Sequence, residues 1–370
     1  MIIEDFKVEH EDQLLTPGLL VYPKRIQQNI DSMIRIAGGV ERLIPHVKTH
    51  KMSAVIKLQL QAGIRKFKCA TLAEMKLLLE CGVDQIVLAH QPTREKAQQF
   101  LKWQREYPHC VCSTLVDNED SLQLYSELAT QTGSSFNLWI DINNGMNRTG
   151  IVPQKAFELY KALSLNPDFT FFGLHVYDGH IRPKDIEERI AQCHADYRPV
   201  DDLCKQIENA SGVMPKRITG GSPSFYPHSL NETTYLSPGT TLLWDLGYKN
   251  IWKESPFLNA AILITRLISK PETNHFCFDL GHKAVASEMP LPRVLILGME
   301  EAVHKGQSEE HLVVIYEKPN NFKVGDLFYA LPYHICPTVA KYNRVYTIEE
   351  GKHTGYWEVE ARAYQIELSK

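Results

Sequence analysis

The 370-residue sequence lacks several features that would assign it to a class at once. No apolar run approaches the roughly 20 residues that cross a bilayer, so we expect no membrane segment. Basic residues do not outnumber acidic ones, and the formal net charge of -4 argues against a nucleic-acid-binding surface. The N-terminal stretch is acidic and mixed in polarity, unlike a secretory signal.

Paired cysteine motifs are also missing. The eight cysteines are scattered along the chain and include no C-x-x-C pair. This distribution indicates reduced thiols rather than a disulfide framework, and it predicts a cytoplasmic protein. Hydrophobic residues make up 44% of the sequence and charged residues 23%, which is typical of a globular protein with a sizeable core.

Short apolar runs alternate with amphipathic helical patterns over the first two thirds of the sequence. The first runs are Leu19–Tyr22 and the stretch that leads into Lys48, and a helical pattern follows each of them. Regular alternation of this kind predicts a parallel sheet, and eight units of this size favour a closed (β/α)8 TIM barrel.

The pattern changes after Ser237-Pro238-Gly239. Helical periodicity fades, and short β-rich runs separated by turn residues follow. They predict a second, mostly antiparallel β domain. We therefore expect a barrel domain at residues 18–240 and a β domain formed by residues 1–17 and 241–370.

Lys48 follows a predicted strand, at the sheet edge where α/β proteins bind ligands. His46, His50 and Lys51 surround it in the sequence. Like charges and burial would lower the pKa of its amine, which is what Schiff-base formation requires. A solvated basic turn that holds a phosphate or a carboxylate is the alternative, and this segment alone does not decide between them.

His334 and Cys336 form a second candidate site. In a strand these residues would stand at i and i+2, with both side chains on one face. Imidazole and thiolate suit Zn²⁺, and two protein ligands suit an open site rather than a closed structural one. The alternative is a buried histidine and an inert cysteine beside the turn at Pro337.

Tyr177 and His180 flank Asp178-Gly179 at the end of another predicted strand. Both side chains could donate hydrogen bonds or move protons there. The alternative is a turn built on Asp178-Gly179, with Tyr177 as a half-buried aromatic residue.

Two glycine-containing loops follow later strands. In Gly220-Gly221-Ser222, backbone N–H groups and a hydroxyl could converge on an anion, although a flexible turn has the same composition. Arg148 lies between Gly145 and Gly150, in a loop that either directs the guanidinium inward or leaves it in a surface salt bridge.

Seven segments follow one another along the chain: Thr16-Pro17, the H-V-K-T-H-K run at 46–51, Arg148-Thr149-Gly150, Tyr177-Asp178-Gly179-His180, Gly220-Gly221, Glu309-Glu310-His311 and His334-Ile335-Cys336-Pro337-Thr338. Their combination resembles the D-serine dehydratase / D-threonine aldolase family. Members of that family are metal-activated pyridoxal-phosphate enzymes of the alanine-racemase-like fold type. The resemblance covers nearly the whole chain and implies a barrel followed by a β domain.

The resemblance also implies a cofactor site. Lys48 would carry pyridoxal 5′-phosphate in a Schiff base, with Tyr177 near the imine and Arg148 near the pyridine nitrogen. The remaining cofactor contacts that it implies are His46, Gly220, Gly221 and Ser222.

The resemblance further implies a divalent metal, zinc in the first place and manganese in the second, on His334 and Cys336. The substrate would be a D-3-hydroxy amino acid. With Lys48 as the base, loss of the α-proton and the hydroxyl gives dehydration to a keto acid and ammonia. With His180 or a metal-bound water as the base, retro-aldol cleavage gives glycine and an aldehyde. The family's dehydratases resemble His-x-Cys at the metal, whereas the best-known D-threonine aldolases carry His-x-Asp, so Cys336 favours dehydration.

Two other functions fit the same fold type. A racemase would need proton transfer on two sides of the substrate and no metal. A non-catalytic pyridoxal-phosphate carrier would resemble small members of the fold type that lack the C-terminal β domain. Enzymes of this fold type are generally dimers, so we expect a homodimer in which His282, Lys283 or Glu310 serves the neighbouring subunit's site.

Overall fold

The computed structural model describes residues 3–365, so the predicted domain ends at residues 1–2 and 366–370 lie outside it. The chain divides into two compact units. The barrel unit consists of Met33–Lys48, Ile56–Gly239 and the segment from Ala363. The sheet unit consists of the N-terminal segment up to Ser32, Thr49–Val55 and Thr240–Arg362.

The helices and strands are numbered here in chain order. The helices are α1 Pro23–Ala37, α2 Ser53–Gln61, α3 Leu72–Glu80, α4 Arg94–Glu106, α5 Glu119–Thr132, α6 Pro153–Leu165, α7 Ile186–Ser211, α8 Phe225–Ser229, α9 Leu246–Ile251 and α10 Ile335–Val339. The strands are β1 Gly18–Val21, β2 Lys66–Cys69, β3 Gln85–Leu88, β4 Val111–Val116, β5 Phe136–Ile142, β6 Phe169–Val176, β7 Arg217–Thr219, β8 Tyr235–Leu236, β9 Ala261–Glu272, β10 His275–Phe278, β11 Val294–Ile296, β12 Val303–Gln307, β13 Leu312–Ile315, β14 Leu327–Pro332, β15 Arg344–Glu349 and β16 Lys352–Glu358. Within residues 3–365, none of the helices has the length and apolar character of a membrane-spanning segment.

The barrel unit contains seven parallel strands, β2 to β8, paired in chain order. The stretch Leu43–His46 occupies the eighth position. Leu43 forms a parallel bridge with Leu236 of β8, and His46 forms one with Lys68 of β2. The predicted combination of a (β/α)8 barrel with a C-terminal, mostly antiparallel sheet is therefore confirmed.

The interior of the barrel unit is apolar at mid-height. A buried cluster joins Ile44, Val87, Leu115, Trp139 and Ile218, one from each of five strand positions. Burying a side chain of this size stabilises the fold by about 1.5–3 kcal/mol. Since each strand continues past this layer, the next inward-facing residues lie toward the C-terminal ends, where ligands bind in such barrels.

The sheet unit is built on a nine-stranded sheet with the main order β12-β13-β10-β9-β1-β15-β16. Neighbouring strands are antiparallel, apart from the parallel pair of β1 and β15. Strands β11 and β14 pair with each other, and β14 also pairs with β9. One face packs on a core that includes Leu20, Ile262 and Leu331.

The first predicted strand was assigned to the wrong unit. We placed Leu19–Tyr22 at the start of the barrel, but β1 lies between β9 and β15 in the antiparallel sheet. All four of its residues are buried, and an all-apolar run fits the middle of either sheet. The sequence pattern missed the barrel strand β8, which has only two residues.

Candidate active site

A hydrogen bond to the His46 side chain holds the turn that carries Lys48. After the barrel stretch Leu43–His46, the chain tightens into a 3-10 turn at Val47–Thr49. The backbone N–H of Lys48 donates to Nδ1 of His46, at 3.2 Å, and the His46 side chain is buried. The Nζ atom of Lys48 lies 5.6 Å from the centre of the Tyr177 ring.

Three basic side chains surround the ring of Tyr177. The guanidinium carbon of Arg148 lies 4.8 Å from the ring centre, and the Nζ atom of Lys68 lies 5.9 Å from it. Together with Lys48, they stand within the range of cation–π attraction. Like charges this close repel one another, so an anionic group beside Tyr177 would be strongly favoured.

The loop after β7 packs on the same tyrosine. A Cβ atom on Gly221 would approach Cε2 of Tyr177 to 2.9 Å. Gly220 has φ 69°, and a Cβ atom there would lie 2.8 Å from both Ser224 Oγ and the His228 ring. A side chain at either position would clash with these neighbours, so the two glycines let the loop lie close against Tyr177.

The glycine N–H groups are used inside the protein, which differs from the sequence-based expectation. Gly220 N–H donates to the Val176 carbonyl at 3.0 Å, and Gly221 N–H donates to Ser224 Oγ at 3.2 Å. Ser222 Oγ accepts a bond from Gly239 N–H at 3.3 Å. The two glycines therefore supply close approach rather than donors for an anion.

A buried polar network lies beneath this loop. Ser224 Oγ donates to Asp178 Oδ1 at 2.6 Å, and the His228 Nε2–Asp178 Oδ2 distance is 2.6 Å. Cys193 brings a third potential metal donor within 4.8 Å of the donor atoms of Asp178 and His228. Burial raises the pKa of the Cys193 thiol, so it stays protonated and is a poor ligand. The network is better explained as support for the glycine loop.

A second network lies inside the barrel and was not anticipated from the sequence. Lys68 Nζ lies 3.4 Å from His175 Nε2, and His175 Nδ1 lies 2.7 Å from Asp141 Oδ1. Burial, followed by the charges of Lys48 and Arg148, lowers the pKa of Lys68 to about 7, while Asp141 and Asp178 oppose that shift. Burial and the Lys68 amine also lower the pKa of His175.

Asp141 connects this network to the Arg148 loop. Burial alone would raise the pKa of its carboxyl, but hydrogen bonds from His175, Thr149 and Gln91 hold that pKa below its usual range. The amide of Gln91 donates to Asp141 Oδ2 at 3.0 Å and to Asp117 Oδ2 at 2.9 Å. Asp117 in turn accepts a bond from the backbone N–H of Gly150 at 2.8 Å, so both ends of the loop segment 149–150 are tied down.

His180 has a different environment from the one we expected for a base beside Lys48. Its Nε2 atom pairs with Asp196 of α7 at 3.2 Å. The ring also packs against Gly145, where a Cβ atom would come within 2.8 Å of Nε2. Among the residues that the structure describes, its buried Nδ1 atom has no hydrogen-bond partner. The described contacts therefore place His180 with α7 and the Gly145 loop rather than with Lys48 or Tyr177.

The metal-pair prediction was wrong in its local structure. Strand β14 ends at Pro332, and Cys336 lies in the short helix α10, which His334 caps. A Pro337 ring is tolerated in the first turn of a helix, where no backbone donor is lost. The two side chains meet nonetheless, because the His334 imidazole hydrogen-bonds the Cys336 thiol.

The electrostatics of this pair suit metal binding. Burial opposes both charges, but their mutual hydrogen bond prevails. It raises the pKa of His334 to about 9 and lowers the pKa of the Cys336 thiol. A thiolate is the form that binds metal, and a cation can replace the proton that the two side chains share.

Side chains of the sheet unit orient the pair. His334 Nδ1 lies 2.5 Å from Glu288 Oε1, a carboxylate–histidine arrangement that leaves the other ring nitrogen for a ligand. The Sγ atom of Cys336 lies 3.2 Å from Thr49 Oγ1 and 3.3 Å from Thr240 Oγ1. One nitrogen and one sulfur donor with a supporting carboxylate fit a divalent ion such as zinc.

Comparison with known families agrees with both parts of the fold. Residues 21–246 match the family described as "Alanine racemase, N-terminal domain". Residues 260–348 match the "Putative serine dehydratase domain". The chain belongs to the alanine racemase N-terminal domain family.

Among the curated proteins similar to this family member, two match over most of their length and a third over a shorter stretch. A 3-hydroxy-D-aspartate aldolase of Paracoccus denitrificans (strain Pd 1222) is 26% identical over 366 residues, 95% of this chain and 93% of that protein. A D-threonine aldolase of Arthrobacter sp is 25% identical over 360 residues, 94% of this chain and 93% of that protein. A D-threo-3-hydroxyaspartate dehydratase of Delftia sp. (strain HT23) is 31% identical over 146 residues, 38% of each chain.

Solved structures share the fold. The D-threonine aldolase from Filomicrobium marinum has a TM-score of 0.84 at 21% identity, with 96% of this chain and 98% of that chain covered. The D-threo-3-hydroxyaspartate dehydratase from Delftia sp. HT23 has a TM-score of 0.75 at 19% identity, with 94% and 97% covered. Two further solved structures are a histidine-to-alanine variant of a D-threo-3-hydroxyaspartate dehydratase and a cysteine-to-alanine variant in the metal-free form.

Sequence reasoning missed most of the supporting residues in this alanine racemase family member. Lys68, Asp141 and His175 had a usable signal, because each is a polar residue near the C-terminal end of an otherwise buried strand. Glu288 had none. It pairs with His334 across 46 positions of sequence, and no local pattern indicates that contact.

Proposed function

We propose that this chain is a pyridoxal-phosphate- and divalent-metal-dependent lyase that acts on a D-3-hydroxy amino acid. One observation carries the proposal: the Lys48 amine and the Arg148 guanidinium share the Tyr177 ring, and the glycine loop packs against it. A lysine that can form a Schiff base, positive charge and a close-packed loop meet at one strand edge. They suit a phosphorylated aldehyde cofactor.

The protein residues have separate tasks in this proposal. His46 fixes the backbone of the turn, so that the Lys48 side chain points toward Tyr177. The Lys48 Nζ atom would hold the cofactor, and as a free amine it would be the base for the α-proton of the substrate. Arg148 would orient the bound cofactor by its charge, and Tyr177 would orient it by contact. Ser222 and the glycine loop would lie beside the phosphate and allow its close approach, while basic side chains would supply the charge that binds it.

His334 and Cys336 would hold the metal ion. Bound pyridoxal phosphate supplies an electron sink, and a metal ion on these two residues supplies a Lewis acid for the substrate's β-hydroxyl. Glu288 keeps the His334 ring in the orientation that exposes its other nitrogen. The proposal requires both the cofactor and the metal for turnover, so the loss of either should stop the reaction.

Dehydration is the reaction that we favour within this class. The His-x-Cys spacing of residues 334 and 336 supports it, because the histidine and cysteine changed in the dehydratase variants are likewise separated by one residue. Retro-aldol cleavage is the second candidate, supported by the names of the two relatives that match over nearly their full length. A racemase or a non-catalytic carrier would make no use of the His334–Cys336 pair or of its Glu288 support.

The first test concerns the cofactor. The protein purified with pyridoxal phosphate should absorb visible light, and borohydride reduction should fix the cofactor on Lys48, as located by peptide mass spectrometry. Lys48→Ala should lose the adduct and lower turnover by more than about a hundredfold. Lys66→Ala is the matched control, because Lys66 Nζ also lies over a tyrosine ring, 5.0 Å from the centre of Tyr235. An adduct on another lysine, or full activity in Lys48→Ala, would overturn the proposal.

The second test is product analysis with D-serine, D-threonine and D-threo-3-hydroxyaspartate. A keto acid with ammonia indicates dehydration, and glycine with an aldehyde indicates retro-aldol cleavage. Chelation should abolish either reaction, and Zn²⁺ or Mn²⁺ should restore it. Activity that survives chelation and inverts the chirality of the amino acid would replace the lyase proposal by a racemase.

A further inference from the structure

Tyr177 and the basic side chains around it, Lys48, Lys68 and Arg148, form the Tyr177 cluster. The proposed function gives no role to Lys68. Its side chain is 3% exposed, at the end of the buried strand β2. A buried lysine needs a partner, because taking an ammonium group out of water is costly. Its hydrogen-bond partner is His175, and it also faces the ring of Tyr177.

The tautomer of His175 follows from its other neighbour. Asp141 is a carboxylate held by several hydrogen bonds, and it accepts from His175 Nδ1 at 2.7 Å. Nδ1 therefore carries a hydrogen, and the neutral ring presents a lone pair at Nε2. Lys68 donates to that lone pair whether its amine carries two hydrogens or three. The contact thus holds Lys68 in place without fixing its charge.

The charged groups around Lys68 are two basic side chains and two carboxylates, so their effects on its amine nearly cancel. From the turn after Leu43–His46, Lys48 faces Lys68, and from the loop after β5, Arg148 does so. Asp141 on β5 and Asp178 after β6 act in the opposite sense. Burial tips the balance toward the neutral amine near neutral pH. An added negative charge beside Tyr177 would reverse it.

We propose that Lys68 is a positioning residue of the site that takes up a proton when an anionic ligand binds beside Tyr177. The step is balanced: the neutral Lys68 amine gains one proton from solvent and becomes an ammonium group that still donates to His175 Nε2. The new charge lies next to the ligand and offsets its negative charge in the barrel interior. This inference rests on the proposed function, which identifies the ligand as a pyridoxal-type phosphate ester.

The uptake makes binding depend on pH. Above about pH 7 the free protein holds the neutral amine, and the bound state holds the ammonium group. Binding then consumes a proton, so the affinity for the ligand falls as the pH rises above that value. Lys68→Met removes the titrating amine, and this part of the pH dependence disappears with it.

Calorimetry with pyridoxine 5′-phosphate tests the inference. This ligand carries an alcohol in place of the aldehyde, so it forms no Schiff base with Lys48. Titrations at pH 8 in two buffers of different ionisation enthalpy give the number of protons taken up on binding. The wild-type protein should take up between about half a proton and one proton more than Lys68→Met. Lys66→Met, on the same strand at its other end, should match the wild type.

A second variant keeps the test valid if Lys68→Met does not fold. Lys68→Gln keeps a donor for His175 and should also lose the additional proton uptake. Equal proton counts in the wild type and in a Lys68 variant that binds the ligand would overturn this inference alone. Failure of the wild-type protein to bind pyridoxine 5′-phosphate or pyridoxal 5′-phosphate would overturn the cofactor proposal, and the inference with it.

Discussion

The Tyr177 cluster and the His334–Cys336 pair differ in the sign of the charge that each would bind. Around Tyr177, the three basic side chains Lys48, Lys68 and Arg148 stand together, and burial favours the neutral form of the Lys68 amine. In the pair, imidazole and thiol share a proton and neutralise each other. The first arrangement is completed by an anion from outside, and the second by a cation that displaces the shared proton.

The two regions also differ in how they are held. Beneath Tyr177, buried networks built on Asp178 and Asp141 fix the loops from inside the barrel unit. The pair stands on a single turn, where Glu288 pairs with the His334 ring and Asp245 accepts a bond from the Ile335 N–H. Buried networks suit a cofactor that must keep one orientation, whereas two donors on a short turn leave the remaining coordination positions of a metal open.

The largest expected effect tests whether the two regions work independently. Cys336→Ala should lower metal-dependent turnover by on the order of 10²- to 10³-fold, because a Lewis acid contributes several kcal/mol to such a reaction. Elemental analysis should show loss of the metal, while the visible absorbance of the bound cofactor stays unchanged. Cys81→Ala, in the barrel unit, is the control. Simultaneous loss of the cofactor in Cys336→Ala would contradict independent assembly.

A smaller effect is expected from the support of the metal pair. Glu288→Gln keeps the size of the side chain but weakens the hydrogen bond to His334 Nδ1, so metal affinity should fall about 10- to 100-fold. Competition with a chromogenic chelator measures it. Glu301→Gln, at a surface pair with Lys318, is the control for removing one charge from the sheet unit. Unchanged affinity would mean that Glu288 does not orient the metal ligand.

The same comparison explains which features the sequence could predict. Lys48, Arg148 and Tyr177 each follow a predicted barrel strand, and barrel topology brings the ends of parallel strands together. Their convergence was therefore predictable before the structure. The pairing of His334 with Cys336 was also predictable from spacing, although the strand geometry was wrong, because β14 ends at Pro332.

The supporting residues were harder to predict for physical reasons. Lys66 and Lys68 stand two positions apart on β2, so the alternation of the strand does not distinguish them. Lys66 pairs with Glu41 and is partly exposed, whereas Lys68 is buried beside His175. Which end of the strand enters the site depends on the register of the whole barrel. The placement of β1 failed for a similar reason, since an apolar run does not reveal which sheet it joins.

A moderate effect on cofactor affinity tests the role of the network beneath the glycine loop. Asp178→Asn loses the charge that Ser224 and His228 share, so the loop should loosen and pyridoxal phosphate should bind roughly tenfold more weakly. Fluorescence titration measures the affinity. Asp196→Asn is the matched control, because Asp196 pairs with His180 rather than with the loop. Equal affinities in the two variants would assign Asp178 to folding alone.

The smallest expected effect concerns stability without cofactor, and it separates Lys68 from the rest of the Tyr177 cluster. The amine has a pKa of about 7 in the folded chain and 10.5 as its ordinary value. Between these values the unfolded chain binds a proton that the folded chain does not, so the stability of the wild type rises with pH across this window and is constant below it. Lys68→Met lacks this dependence. Its Tm should exceed that of the wild type by about 2–4 °C at pH 7, and the gap should shrink by pH 9.5. Lys66→Met controls for the loss of a lysine from β2. If the Tm difference between Lys68→Met and the wild type stays constant with pH, the Lys68 amine is already charged in the free protein.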